Sequence, residues 1–120
     1  MSKSILVADD EEDTRKALKL ILELEGYDVI TASNGKECLK RLNKNVNLIL
    51  LDIMMPVLDG WGVVAKMKTN QKLKNIPIIM LTVKSGKEDY DKAKSFKVED
   101  YIVKPFETDR LISKVKRFLK

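Results

Sequence analysis

The stretch from Asn47 to Gly60 restricts what this chain can fold into more than any other. Leu48-Ile49-Leu50-Leu51 sets four large apolar residues in a row and ends on one carboxylate, Asp52. An unbroken apolar run bounded by turn formers predicts a strand buried on both faces, the pattern of a parallel sheet covered by helices. Pro56 cannot continue a ladder and Asp59-Gly60 predicts a tight turn, so the strand ends near Asp52. Open α/β sheets place their ligands at the carboxyl ends of such strands. Asp52 alone is equally compatible with a solvated residue that merely ends a strand. Its companions elsewhere in the chain decide the matter.

Four other segments repeat the theme. Ser4-Ile5-Leu6-Val7-Ala8 predicts a first buried strand that empties into five acids, Asp9 to Asp13. Glu11, Glu12 and Asp13 suit the first turn of a helix, where acids complement the dipole; Asp9 and Asp10 precede it and need another reason. That helix carries Ala17, Leu18, Ile21, Leu22 and Leu24 at helical spacing and stops at Gly26. Tyr27 to Ala32 predicts strand two, and Asn34-Gly35-Lys36-Glu37 a capping box opening a helix that buries Cys38, Leu39 and Leu42. After Gly60 comes a helix with Val63, Val64 and Met67, with Trp61 read as packing. Pro77 to Thr82 predicts a fourth buried strand ending on a hydroxyl. Ser85-Gly86-Lys87-Glu88 has capping-box spacing for a helix that buries Tyr90, Ala93 and Phe96. Tyr101-Ile102-Val103 makes the fifth strand, running into Lys104-Pro105-Phe106, and Thr108 caps a last helix with Leu111, Ile112, Val115 and Leu119. Strand and helix alternate five times without a long linker, which predicts a single doubly wound α/β domain over residues 1–120.

Composition narrows the chemistry. The chain has 120 residues, no histidine and one cysteine. This composition argues against zinc or iron sites and histidine-based triads, and any metal must be held by oxygen, which points to magnesium or calcium. A lone Cys38 without an activating neighbour reads as a small core residue and suits a reducing, cytoplasmic location. No segment approaches a membrane span, and the first residues lack a signal-peptide pattern, so no membrane insertion is expected. The net charge of +5 is uneven: residues 1–60 carry 8 Lys/Arg against 11 Asp/Glu, and residues 61–120 carry 15 against 7. The lysines are mixed with acids along predicted helices, with no aromatic interleaving. They read as a solvated surface, with no direct nucleic-acid contact expected.

Parallel strands share one carboxyl edge, so Asp9 and Asp10, Asp52, Thr82 and Lys104 converge there. Carboxylates so gathered repel one another unless a cation intervenes, and magnesium fits. The Thr82 hydroxyl and Lys104 ammonium are then donors aimed at an anion beside the metal. These parts describe a phosphoryl-binding pocket, in which catalysis is positioning plus charge neutralisation. Asp52, between the acid pair and the donors, is the candidate nucleophile, giving an aspartyl phosphate.

With those residues in place, the chain resembles a response-regulator receiver domain, the CheY-like phosphoacceptor of two-component signalling, over essentially its whole length. The resemblance rests on Asp9-Asp10, Asp52-Ile53-Met54-Met55-Pro56 with Asp59-Gly60, Thr82, and Tyr101 to Phe106. It implies a flavodoxin-like fold with five parallel strands in the order 2-1-3-4-5 and five helices. It implies that Asp52 accepts a phosphoryl group from the phosphohistidine of a sensor kinase or phosphotransfer protein. It further implies that Asp10, Asp52 and the backbone carbonyl of Met54 bind magnesium directly, with Asp9 acting through metal-bound water. Lys104 and Thr82 would hold the phosphoryl group, and Tyr101 would move inward as Thr82 is drawn toward it. The altered surface of helix four, strand five and helix five would then control a downstream effector protein. The expected protein is a switch and not an enzyme, a monomer or weak dimer without an output domain, or else the receiver part of a longer regulator.

Three features depart from the family pattern. Val83 stands where a small residue usually follows the strand-four hydroxyl, and it narrows access to the site. Lys84 is placed to reach the phosphoryl group. Lys97-Val98 replaces a common Gly-Ala, so a left-handed cap at Lys97 costs roughly 1 kcal/mol relative to glycine. Other classes fit less well. A dehalogenase-type phosphatase needs a second acid two residues after the nucleophile, where this chain has Met54. A flavodoxin-like electron carrier needs a hydroxyl- and glycine-rich loop where this chain has Asp9 to Asp13, and the intact acid set argues against a pseudo-receiver.

Overall fold

The structure, a computed structural model, describes residues 2–83 and 87–119, the side chains of 87–90 excepted. Five strands alternate with five helices: β1 (Ser4–Ala8), α1 (Glu12–Leu24), β2 (Asp28–Ala32), α2 (Gly35–Arg41), β3 (Leu48–Asp52), α3 (Gly60–Lys68), β4 (Ile78–Thr82), α4 (Lys87–Ser95), β5 (Asp100–Val103) and α5 (Thr108–Phe118). The strands form one parallel sheet in the order β2-β1-β3-β4-β5, as the family resemblance implies.

The apolar runs divide by pleat parity, since successive side chains point to opposite faces. Leu6, Ala8, Ile49, Leu51, Ile78 and Met80 face α2, α3 and α4, joined by Cys38, Val63, Val64, Met67 and Ala93. Ile5, Val7, Leu48, Leu50, Ile79, Leu81 and Ile102 face α1 and α5, joined by Leu18, Leu22, Leu111 and Val115. All five residues of β3 and of β4 are buried, as their unbroken apolar sequence predicts. Trp61 is packing, stacked on Phe96 with ring centroids 5.4 Å apart. Cys38 is a core residue whose burial pushes its thiol up to about 12.

The helix ends explain where the chain turns. Asn34 Oδ1 accepts from Glu37 N at 2.8 Å, while Glu37 Oε1 accepts from Ser33 N at 2.9 Å, a reciprocal cap that opens α2. Gly26, at φ 93°, ends α1, with Tyr27 N donating to Leu22 O and Gly26 N to Glu23 O. The same two-bond closure ends α4 at Lys97, whose φ of 58° is the left-handed cap foreseen from Lys97-Val98.

Several local expectations need correction. Ala17 and Leu24 are exposed, Leu24 at 76%, because α1 contacts the sheet along a stripe centred on Leu18 and Leu22. Leu39 is half-buried, since α2 is only 7 residues long and its inward face is Gly35 and Cys38. Thr108 does not cap α5: Glu107 is the N-cap, without a side-chain bond, and Thr108 is already helical. Asp59-Gly60 is a helix start and not a turn, with Asp59 Oδ1 accepting from Gly62 N at 2.8 Å. The sharp reversal lies at Pro56-Val57-Leu58, where Leu58 N donates to Pro56 O across Val57 at φ 71°. The Ser85–Glu88 capping box, the burial of Tyr90 and the reach of Lys84 lie outside the described residues.

Candidate functional site

Register decides which strand ends meet. Ala8 pairs with Leu51, Asp52 with Leu81, and Thr82 with Val103. Asp9 therefore emerges beside Asp52, Thr82 one step past Asp52's partner, and Lys104 one step past Thr82's. The first backbone bonds beyond the ladders keep these ends aligned: Asp9 N donates to Ala32 O, Ile53 N to Leu81 O and Lys104 N to Thr82 O. Gly60 lets α3 start against this edge, because a Cβ there would lie 2.4 Å from the carbonyl oxygen of Asp52.

Charge is concentrated where water is scarce. Asp9 is fully buried, and Asp52 and Thr82 are buried too, while Asp10 faces solvent. One ammonium serves several carboxylates. Lys104 Nζ lies 2.6 Å from Asp9 Oδ2, 3.5 Å from Asp52 Oδ2 and 3.8 Å from Glu11 Oε1. Asp9 Oδ1 also accepts from Glu11 N at 2.9 Å, and Asp52 Oδ1 from Met54 N at 3.3 Å. Asp9, Asp10 and Asp52 each offer an oxygen within 4.8 Å of the others.

The electrostatics follow from that crowding. Burial, and then the Asp9 charge, push the Asp52 carboxyl up to about 7, against the pull of Lys104. Burial works to lower Lys104, but the Asp9 hydrogen bond and the charges of Asp52, Asp9 and Glu11 outweigh it and hold the ammonium above its ordinary value. Among the described residues, three carboxylates gather about the Lys104 ammonium, which leaves net negative charge in a partly desolvated pocket. That donor set, all oxygen, is what a hard divalent cation requires, so the residues fit magnesium.

Thr82 and Tyr101 lie on one face of the sheet, on the neighbouring strands β4 and β5. Tyr101 pairs with Met80 and is half-buried against the α2/α3/α4 core, and Thr82 lies two residues further along β4, so the two are diagonal neighbours on one face. Met54 follows the strand with an exposed side chain, which leaves its backbone the part nearest the acids. Val83 is 64% exposed and lines a groove of about 590 Å³ together with Thr14, Lys104 and Phe106.

Two residues at the site are missed by reading the sequence. Glu11 reads as a helix-dipole acid, yet its carboxylate approaches Lys104. Arg15 carries no assignment in the sequence reading, yet its Nη1 donates to the Asp9 carbonyl at 2.7 Å and so pins the loop that carries the acid pair. The available signal was spacing: a residue four positions after Glu11 in a helix's first turn faces back toward the preceding strand end.

Known proteins share this fold. Residues 5–116 match the model of the response regulator receiver domain. The chain belongs to the response-regulator receiver family. Among curated receiver-containing relatives, it is 43% identical to a transcriptional regulatory protein, a CpxR homolog of Haemophilus influenzae, over an alignment covering 100% of this chain and 51% of that protein. It is 44% identical to the alkaline phosphatase synthesis transcriptional regulatory protein PhoP of Bacillus subtilis, covering 100% of this chain and 50% of PhoP. The chain thus spans about half the length of these relatives. Among solved receivers, the chemotaxis protein CheY4 of Vibrio cholerae superposes with a TM-score of 0.93 at 29% identity, covering 98% of this chain and 99% of that one. Among the described residues no helix is long and apolar enough to cross a membrane.

Proposed function

We propose that this receiver is a phosphoacceptor switch in which Asp52 takes a phosphoryl group from the phosphohistidine of a sensor kinase or phosphotransfer protein. The observation that carries this reading is the sharing of the Lys104 ammonium between buried Asp9 and Asp52, with Asp10 completing an oxygen cluster beside them. An Asp52 oxygen attacks phosphorus, a P–O bond forms, and the P–N bond to the imidazole breaks. The histidine nitrogen leaves with the electron pair and is reprotonated from solvent. Asp10, Asp52 and the Met54 carbonyl would hold magnesium, with Asp9 beside them. Bound there, magnesium would neutralise charge that gathers on the phosphoryl oxygens.

Lys104 then exchanges a carboxylate for a phosphoryl oxygen, and the Thr82 hydroxyl donates to another. Because Thr82 neighbours Tyr101 diagonally, its movement opens room for the tyrosine ring and changes the surface made by α4, β5 and α5. An effector protein preferring that surface gains affinity only as far as it distinguishes the two states. The chain acts as a switch without turnover of an external substrate, on protein partners and not on nucleic acid, as a monomer or weak dimer. Within a longer regulator of the kind its two relatives represent, the same switch would control an attached transcription-regulating half.

The test is an amide spectrum of the magnesium form titrated with beryllofluoride, a phosphoryl mimic. Resonances of Thr82, Val83 and Tyr101 are expected to shift in the wild type and stay in place in Asp52→Asn. Shifts of equal size in both proteins would sink the reading.

A further inference from the structure

Glu11 has no part in the chemistry above, and its geometry gives it one. It is the N-cap residue of α1, at φ −87° and ψ 117°, but its side chain makes no capping bond. A capping acid turns its oxygen back onto the free N–H groups of its own helix. Glu11 instead extends toward Lys104, with Oε1 at 3.8 Å from Nζ. Its backbone is fixed there, because Glu11 N donates to Oδ1 of the buried Asp9. Glu11 lines the solvent-open groove with Asp13, Thr14, Val83, Lys104 and Phe106, and this groove meets the ion cluster at Lys104. Lys104 Nζ bridges the groove and the acceptor, at 3.8 Å from Glu11 Oε1 and 3.5 Å from Asp52 Oδ2, so a group arriving at Asp52 comes within several ångströms of this carboxylate.

We propose that Glu11 selects among small phosphodonors by charge, disfavouring strongly anionic ones, and that it does so as a positioning residue through Lys104 and through its own field. The inference rests on Asp52 being the phosphoacceptor. Acetyl phosphate is a dianion at neutral pH and loses acetate as its P–O bond breaks. Phosphoramidate, protonated on nitrogen, is less negative and loses ammonia as its P–N bond breaks. Both give the same new P–O bond on Asp52. A carboxylate on this anchored backbone, several ångströms from the incoming group, repels the dianion more, and it competes for the Lys104 ammonium that neutralises the arriving charge. Exposed as Glu11 is, the effect is modest and is screened by salt over a Debye length of about 10 Å at 0.1 M.

The experiment measures initial phosphorylation rates by intact mass for wild type, Glu11→Gln, Glu11→Lys, Glu12→Gln and Asp52→Asn. Each is run with both donors plus magnesium, at low salt and at about 0.5 M salt. Glu12 pairs with Lys16 at 2.9 Å, away from Lys104, and serves as the equal-charge control. The expected result is a gain of about threefold to tenfold for Glu11→Gln with acetyl phosphate at low salt. The gain with phosphoramidate should be clearly smaller, Glu11→Lys should go further in the same direction, and high salt should shrink the difference between donors. Glu12→Gln should stay at wild-type rates. Equal changes for the two donors, a salt-independent change, or no change in Glu11→Gln would overturn the proposal. A wild type that accepts nothing from either donor would overturn the Asp52 reading, and this inference with it.

Discussion

The two edges of one sheet treat charge in opposite ways. At the amino edge Asn47, Glu99 and Asp100 each have their own partner. Asn47 Oδ1 accepts from Ser4 N at 2.8 Å, Glu99 Oε1 from Ile78 N at 2.7 Å, and both Asp100 oxygens take Lys114 Nζ at 2.9 Å. At the carboxyl edge Asp9, Asp52 and Glu11 all depend on Lys104, and Asp10 adds another carboxylate nearby. The first arrangement closes its charges and serves the fold. The second leaves negative charge over, in a place where burial holds Asp52 up to about 7. Such a surplus destabilises the protein by itself, so its presence marks where the chain gives up stability for chemistry.

The largest contrast is expected from removing the cation at each edge. Lys104→Met in magnesium-free buffer leaves the fully buried Asp9 charge without its ammonium and should destabilise by about 3 kcal/mol. Lys114→Met removes a partly exposed pair and should destabilise by about 1 kcal/mol. Urea unfolding of both variants checks the ratio, and equal losses would erase the distinction between the edges.

Neutralising the acid sharpens the comparison by changing its sign. Asp100→Asn should destabilise, whereas Asp52→Asn should stabilise by about 1–2 kcal/mol at pH 7.5 without magnesium, since water at the open edge screens part of the effect. The pH dependence follows from the raised carboxyl of Asp52. A group that holds its proton more tightly folded than unfolded contributes stability below its unfolded value of 3.8, and loses it as pH rises through about 7. The gap between Asp52→Asn and wild type should therefore be absent near pH 3.5, open between pH 4 and 7, and level off above. Denaturation midpoints across that range would show it, and a gap that closes as pH rises would contradict it.

The smallest effect belongs to the amino edge. Lys97 holds a left-handed φ of 58°, so Lys97→Gly should stabilise by about 1 kcal/mol. Because Lys97 lies at the opposite end of the sheet, phosphorylation of that variant should match wild type.

What was legible in the sequence follows the same division. The buried strands declare themselves through unbroken apolar runs, and a parallel sheet puts Asp9, Asp10, Asp52 and Lys104 on one edge; the register that sets Asp9 beside Asp52 comes from the structure. A local signal with reciprocal chemistry also reads correctly in the Asn34–Glu37 cap, and the left-handed Lys97 follows from the family's usual Gly-Ala at that place. What failed needed three-dimensional neighbours. Leu24 has helical spacing, but α1 is too narrowly seated for it to reach the sheet. Thr108 is a good capping residue, yet the extended Glu107 takes the position because the chain leaving Pro105 and Phe106 has not yet turned. Asp59 reads equally well as a turn or a cap, and the tight reversal falls instead on Val57, a β-branched residue that propensity would never choose. Glu11 was hidden because one residue type answers to both helix-dipole and site chemistry.

The most direct test is the intact mass of wild type and Asp52→Asn after incubation with acetyl phosphate or phosphoramidate, with and without magnesium. One added phosphoryl group, seen only in wild type and only with magnesium, is the predicted result. An adduct that persists in Asp52→Asn, or its absence from wild type with both donors in magnesium, would contradict the account.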